Sequence, residues 1–262
     1  MEVIIRPTRD DAARLVTRLV EAQVRANPEL VLGLATGESM EPVYEMLCES
    51  HGRDGIRFAR VTTFNLDEYV GLSPEDPASY RRYMNERLFS RIDIDPENTF
   101  LPNGMAEDLD TECANYERLI TDKGGIDLQL LGIGSVGHIG FNEPLSALRS
   151  RTRVKALTPM TIEQNARFFG GDASKVPHRA VTMGVGTILD SRRCVLLATG
   201  EEKAEIIAKA VEGPITSMIS ATALQLHPRC TVIVDEAAAA HLTQRKYYRW
   251  LFEHEPEWKP FR

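Results

Sequence analysis

Gly132-Ile-Gly-Ser-Val-Gly-His-Ile-Gly-Phe-Asn-Glu-Pro144 runs on from Ile126-Asp-Leu-Gln-Leu-Leu-Gly-Ile133, and this junction decides the fold. The run from Ile126 is a short apolar stretch of strand length, the pattern of a strand in a sheet covered on both faces. In open parallel sheets, ligands bind beyond the carboxyl ends of such strands. The glycine-rich turn at that end carries a histidine and a carboxylate, His138 and Glu143, so both are expected at a crevice where an α/β enzyme keeps its chemistry.

Gly132, Gly134 and Gly137 also spell G-x-G-x-x-G, which alone would suggest dinucleotide binding. That fingerprint needs a helix opening on the third glycine and an acid about 20 residues on for the ribose. Here the chain runs into Gly140 and Pro144, and then into the basic stretch Arg149-Ser-Arg-Thr-Arg-Val-Lys155. The glycines are better read as backbone that must turn sharply and approach a ligand closely.

Outward from this junction, strands and helices alternate, the pattern of a parallel sheet wrapped by helices. Strands are expected at Val3 to Arg6, Leu30 to Ala35, Arg57 to Phe64, Cys194 to Ala198 and Thr231 to Val234. Helices are expected at Thr8 to Ala26 (with Leu15, Leu19 and Val20 toward the core), Pro42 to Glu49, Ser79 to Phe89, Asp108 to Asp122 and Glu201 to Val211. Gly124-Gly125 stops the fourth of these helices. From Leu145 to Arg179 the chain is polar, basic and weakly periodic around Phe168-Phe169-Gly170-Gly171, which reads as an inserted lid or loop. The aromatic tail Tyr247 to Phe252 is expected to dock on the body or on another subunit.

A chain of 262 residues with 43% hydrophobic content can bury one substantial core, so one domain is expected. The net charge of −7 argues against a nucleic-acid or anionic-membrane surface and leaves room only for a local basic pocket, so the ligand is expected to be small. Cys48, Cys113, Cys194 and Cys230 have no metal-binding spacing and suit a reducing compartment. No apolar run of membrane length or signal-peptide pattern occurs, and a cytoplasmic location is the expectation.

Three loops follow three strands: Thr36 to Ser39, Asn65 to Tyr69, and Gly134 to Glu143. Each is ordinary when taken singly. Together they bring the acid pair Asp67-Glu68, His138 and Glu143 to one sheet edge, enough for a general acid and a general base. Five residues between His138 and Glu143 do not put them on one helix face, and no metal-site signature is present. Thr36-Gly37-Glu38-Ser39 lies between a strand and a helix, where backbone N–H groups favour an anion; a plain strand-to-helix turn explains it as well. Lys203 and Arg167 would add positive charge to such a site.

Thr63-Phe-Asn-Leu-Asp-Glu-Tyr69, Gly137-His-Ile-Gly-Phe-Asn-Glu-Pro144, Ser150-Arg-Thr-Arg153, Arg167-Phe-Phe169, Val181-Thr-Met-Gly-Val-Gly-Thr187 and Leu224-Gln-Leu-His-Pro228 together resemble the glucosamine-6-phosphate deaminase family over nearly the whole chain. The resemblance implies a modified Rossmann-like, open and mostly parallel sheet with helices on both faces. It also implies conversion of glucosamine 6-phosphate to fructose 6-phosphate and ammonia, with neither metal nor nucleotide cofactor. It makes Asp67 the base at C2, His138 the acid/base of ring opening, and Glu143 the group that holds and tunes the imidazole. Thr36, Gly37, Ser39, Arg167 and Lys203 fall on the phosphate, and Ser146, Arg153 and Lys155 stand at positions resembling an effector site between subunits. Family members of this kind include hexamers, and the sequence leaves both hexamer and monomer open.

Val136 and Glu38 depart from the family's usual residues, Asp or Asn at the first position and Gly or Ser at the second; Met40 replaces a usual proline. Glu38 pointing at a phosphate would be repelled by about 1 kcal/mol or more at ~4 Å. Glu38 is therefore expected to turn to solvent, or else the substrate is a related amino sugar, with or without that phosphate. A lactone hydrolase of the same fold and a non-catalytic sugar-phosphate sensor are the other readings. The Asn65 to Tyr69 and Asn142-Glu143 words favour deamination over the hydrolase. No DNA-binding module precedes the fold, which leaves the sensor unsupported.

Overall fold

The computed structural model describes residues 1–262. Its frame is a seven-stranded parallel sheet of β1 (Glu2–Arg6), β2 (Val31–Leu34), β3 (Thr62–Asn65), β5 (Thr99–Phe100), β6 (Leu128–Leu131), β9 (Cys194–Ala198) and β10 (Cys230–Asp235), in the spatial order β1-β10-β9-β6-β2-β3-β5. Every residue of β2, β3, β6, β9 and β10 is buried. Successive strand side chains point to opposite faces, so burial at every position means the sheet is covered on both. From β2 the chain steps outward through β3 to β5, then returns to β6 on the other side and steps outward through β9 to β10. The direction of winding therefore reverses between β2 and β6, and a crevice opens beyond the carboxyl ends of strands at such a reversal.

The helices are local consequences of capping and apolar spacing. α1 (Arg9–Ala26) begins where the Thr8 hydroxyl accepts a hydrogen bond from the Asp11 N–H, and it buries Leu15, Leu19 and Val20. α2 (Glu41–Asp54) ends at Gly55, which adopts a left-handed conformation. α3 (Tyr80–Arg87) and α4 (Leu109–Asp122) are capped by Ser79 and Asp108. α6 (Val185–Leu189) and α7 (Ala204–Glu212) flank β9, the latter entered through a 3₁₀ turn at Glu201–Lys203. No helix is long and apolar enough to cross a membrane.

Two expectations change. The strand expected from Arg57 begins only at Thr62, because Phe58 to Val61 form a turn in which the Phe58 N–H is held by Asp93. The segment from Leu145 to Arg179 is a built structure: β7 (Arg153–Ala156), α5 (Pro159–Asn165) and two 3₁₀ turns precede β8 (Arg179–Thr182). β7 and β8 pair antiparallel with each other, and β8 pairs with β4 (Asp67–Tyr69), giving a second sheet in the order β4-β8-β7. This subsheet has its own apolar cluster of Tyr69, Phe141, Leu157, Ala166, Val176 and Ala180, apart from the main core of 58 buried residues. The tail forms α8 (Arg245–His254), which buries Phe252 while Tyr247 and Trp250 stay exposed.

Candidate active site

A cavity of about 370 Å³ lies beyond the carboxyl ends of β2, β3, β6 and β9, at the winding reversal. Thr36, Gly37, Glu38 and Ser39 line it from the loop after β2, and Asp67 from the first residue of β4. Gly134, Ser135 and His138 line it from the turn after β6, and Lys203 from the turn after β9. Five residues from Thr161 to Phe168 in the inserted segment face it from above, among them Gln164 and Arg167. The sequence reading did not anticipate Arg9, Tyr80, Thr161, Gln164 or Glu202 in this lining. Only Thr158-Pro159, a cap followed by a first-turn proline, signalled a helix over the site.

The adjacent acids Asp67 and Glu68 are used differently. Glu68 is buried and spends its carboxylate on the N–H groups of Tyr69, Tyr80 and Arg81, so it caps the start of α3. Asp67 is buried too, but its carboxylate faces the cavity with no hydrogen bond holding its charged form. Burial first, and the neighbouring Glu68 second, push its pKa up to about 8. Gly140, at φ 55°, makes room for it: a Cβ there would lie 3.3 Å from Asp67 Oδ2 and 2.9 Å from Thr182 Oγ1.

His138 lies over Gly134, where a Cβ would fall 2.1 Å from its Nε2. The turn is closed by backbone hydrogen bonds from Gly134 N–H to the His138 carbonyl and from Gly137 N–H to the Gly134 carbonyl, each 2.9 Å. Nδ1 of His138 stands 3.4 Å from Oε2 of Glu143. The separation falls short of an aligned hydrogen bond, and neither atom has another partner. The other oxygen of Glu143 accepts hydrogen bonds from the N–H and hydroxyl of Thr158, the cap of α5. Burial pushes the Glu143 pKa up, but the His138, Thr161 and Thr158 contacts outweigh it and hold the pKa down at about 2. Glu143 stands behind the cavity wall, next to the imidazole.

At the other end of the cavity the Lys203 ammonium donates to the Ile133 carbonyl at 3.0 Å, and burial lowers its pKa. Arg167 pairs with Glu38 at 2.8 Å, and Arg9 donates to the Glu38 carbonyl oxygen at 2.8 Å. Three cations therefore surround the Thr36 to Ser39 loop, and Glu38 meets Arg167 instead of standing free in solvent. Ser146, Arg153 and Lys155 lie outside the cavity lining. Ser146 is buried, and Arg153 donates to the Asn142 side-chain oxygen at 2.9 Å, bracing the loop that carries Glu143. Asn142 in turn donates to the Ile139 and Met183 carbonyls.

A crevice at the winding reversal, a free buried carboxylate, a carboxylate-backed imidazole and a strand-to-helix loop ringed by three cations define an α/β enzyme site for an anionic ligand. The family described as glucosamine-6-phosphate isomerases/6-phosphogluconolactonase matches residues 8–233, and the chain belongs to it. The chain is 48% identical over 259 residues to a glucosamine-6-phosphate deaminase of Arthrobacter sp. (strain FB24), covering 99% of each chain. It is 50% identical over 249 residues to that of Shewanella woodyi, covering 95% of this chain and 94% of the other. Among solved structures, a monomeric glucosamine-6-phosphate deaminase superposes with a TM-score of 0.90 at 45% identity, over 92% of this chain and all of that one. The 6-phosphogluconolactonase of Trypanosoma brucei shares the fold, with a TM-score of 0.72 at 18% identity, over 92% of this chain and 98% of that one.

Proposed function

We propose that the chain converts glucosamine 6-phosphate and water to fructose 6-phosphate and ammonia. The observation that carries this reading is Asp67, a buried carboxylate facing the same cavity as His138 and left without a hydrogen-bond partner. A proton-transfer base needs that freedom, whereas a structural carboxylate is bonded, as Glu68 is. In the reaction, His138 exchanges the proton on the ring oxygen as the sugar opens, with Glu143 orienting the imidazole. Asp67 takes the C2 proton, leaving an enolamine, and returns a proton to C1 to give a ketimine. Water adds to the ketimine carbon, and ammonia leaves. Thr36, Gly37, Ser39, Arg167 and Lys203 bind the phosphate through N–H groups, a hydroxyl and two cations.

The relatives at about half identity support deamination over lactone hydrolysis, and the lactonases share only the fold. We place the enzyme in the cytoplasm, consistent with four free cysteines, and read it as one domain whose 145–180 segment is a lid. A monomer is supported by the structural neighbour described as monomeric, and light scattering of the purified protein tests it. The decisive assay is release of ammonia and fructose 6-phosphate from glucosamine 6-phosphate, with and without N-acetylglucosamine 6-phosphate. Stoichiometric release supports the reading, and stimulation by the acetylated sugar supports an effector site at Ser146, Arg153 and Lys155. No release from folded protein sinks the deaminase assignment.

A further inference from the structure

Arg167 is the one cavity cation held by a carboxylate from the phosphate loop itself. Its guanidinium lies over the Phe168 ring, 4.7 Å from the centroid, and meets Glu38 at 2.8 Å. Glu38 extends from the loop after β2 and Arg167 from the inserted segment, so the pair spans the mouth of the cavity. A second tie crosses beside it, from the Gln164 amide to the Ser135 hydroxyl. Glu38 also falls within electrostatic reach of Lys203, the other cation at this end.

We propose that Glu38 is an internal competitor for the phosphate of the substrate: its carboxylate occupies Arg167 in the empty cavity, and an incoming phosphate must exchange for it. The inference rests on the reading of Arg167 and Lys203 as phosphate-binding groups. Two opposing effects set its size. A phosphate dianion offers Arg167 more negative charge than the Glu38 carboxylate, with the same bidentate geometry, so exchange is favoured once the ligand is in place. Glu38 is tethered beside Arg167 and needs no translational entropy to reach it, so it holds the site against low ligand concentrations. Both side chains are about half exposed, at 56% and 54%, which keeps the pair weak and readily exchanged. Glu38 thus makes phosphate affinity lower than the surrounding cations alone would give, and ties the inserted segment to the loop until a ligand arrives.

The test is calorimetric titration of inorganic phosphate into the wild-type protein, Glu38→Gln, Arg167→Ala and the double variant, beside KM and kcat for glucosamine 6-phosphate. Glu38→Gln should bind phosphate about 1.5- to fivefold more tightly, the range expected for releasing one half-exposed ion pair. KM should fall by a similar factor, and kcat should move less. In the Arg167→Ala background the same substitution should give a clearly smaller gain, only that from direct repulsion and from Lys203, because the competition runs through Arg167. Unchanged or weaker phosphate binding in Glu38→Gln would overturn the proposal, as would a gain of the same size without Arg167. Phosphate binding is read without turnover: a tighter Glu38→Gln in a protein that fails to deaminate would leave the competition standing and remove the substrate assignment.

Discussion

Asp67 carries the largest chemical consequence of any single residue here. Its pKa near 8 lies above the ordinary 3.8 of an aspartate, so the folded protein holds this proton more tightly than the unfolded chain does. Such a group favours the folded state below the unfolded value, and that contribution is lost as pH rises through 8. Asp67→Asn should therefore gain thermal stability relative to the wild type between pH 6 and pH 9. Turnover should meanwhile fall about 10²- to 10⁴-fold, with sugar-phosphate binding largely kept. Melting curves at the two pH values and steady-state kinetics check both halves. A pH-independent difference in Tm would refute the perturbed carboxyl, and near-normal turnover would refute the proton-transfer role. The sequence showed Asp67-Glu68 as two equivalent acids after a strand. It could not separate them, because the difference lies in backbone N–H groups, two of which, from Tyr80 and Arg81, reach Glu68 only after α3 has packed against β4. His138 and Glu143 were legible as a pair, since the turn that joins them is built within the one glycine-rich stretch.

Among the elements, α3 depends on a carboxylate from outside it. Glu68 accepts from the Tyr80 and Arg81 N–H groups at 3.0 Å each, while Ser79 supplies the ordinary cap by accepting from Arg82. Glu68→Ala leaves buried donors unpaired and should destabilise the protein by about 2–3 kcal/mol. That corresponds to roughly 4–12 °C in Tm for a chain of this size, measured by calorimetry. A loss under 1 °C would mean that water replaces the carboxylate without cost. The parallel strands were legible because continuous apolar runs mark strands buried on both faces. β7 and β8 were not. Each is four residues long, β7 is only partly buried, and the pairing that makes them strands brings together segments far apart in the chain. Weak periodicity from Leu145 to Arg179 therefore hid a small sheet with its own apolar cluster.

The order of the strands belongs to the whole molecule, and with it the place of the cavity. Alternation along the chain announced a parallel sheet, but the reversal between β2 and β6 follows from which strands pair, and pairing leaves no local mark. Arg9 shows the same limit: it reaches the Thr36 to Ser39 loop because α1 starts beside that loop in space, 29 residues away in sequence from its Glu38 contact. Cys194 and Cys230 face each other in register on β9 and β10, at 0% and 2% exposure. Burial raises both thiols, Cys230 to about 12, so neither supplies a reactive thiolate while the central strands stay paired. In native buffer both should resist an aromatic disulfide reagent, and their labelling rate should follow opening of the sheet. Saturating inorganic phosphate should slow that labelling in proportion to its occupancy of the folded form. Prompt modification of either thiol without denaturant would contradict this. The two sulfurs thus act as an internal gauge, through which ligand binding at the carboxyl rim of the sheet can be read as a chemical rate at its buried amino end.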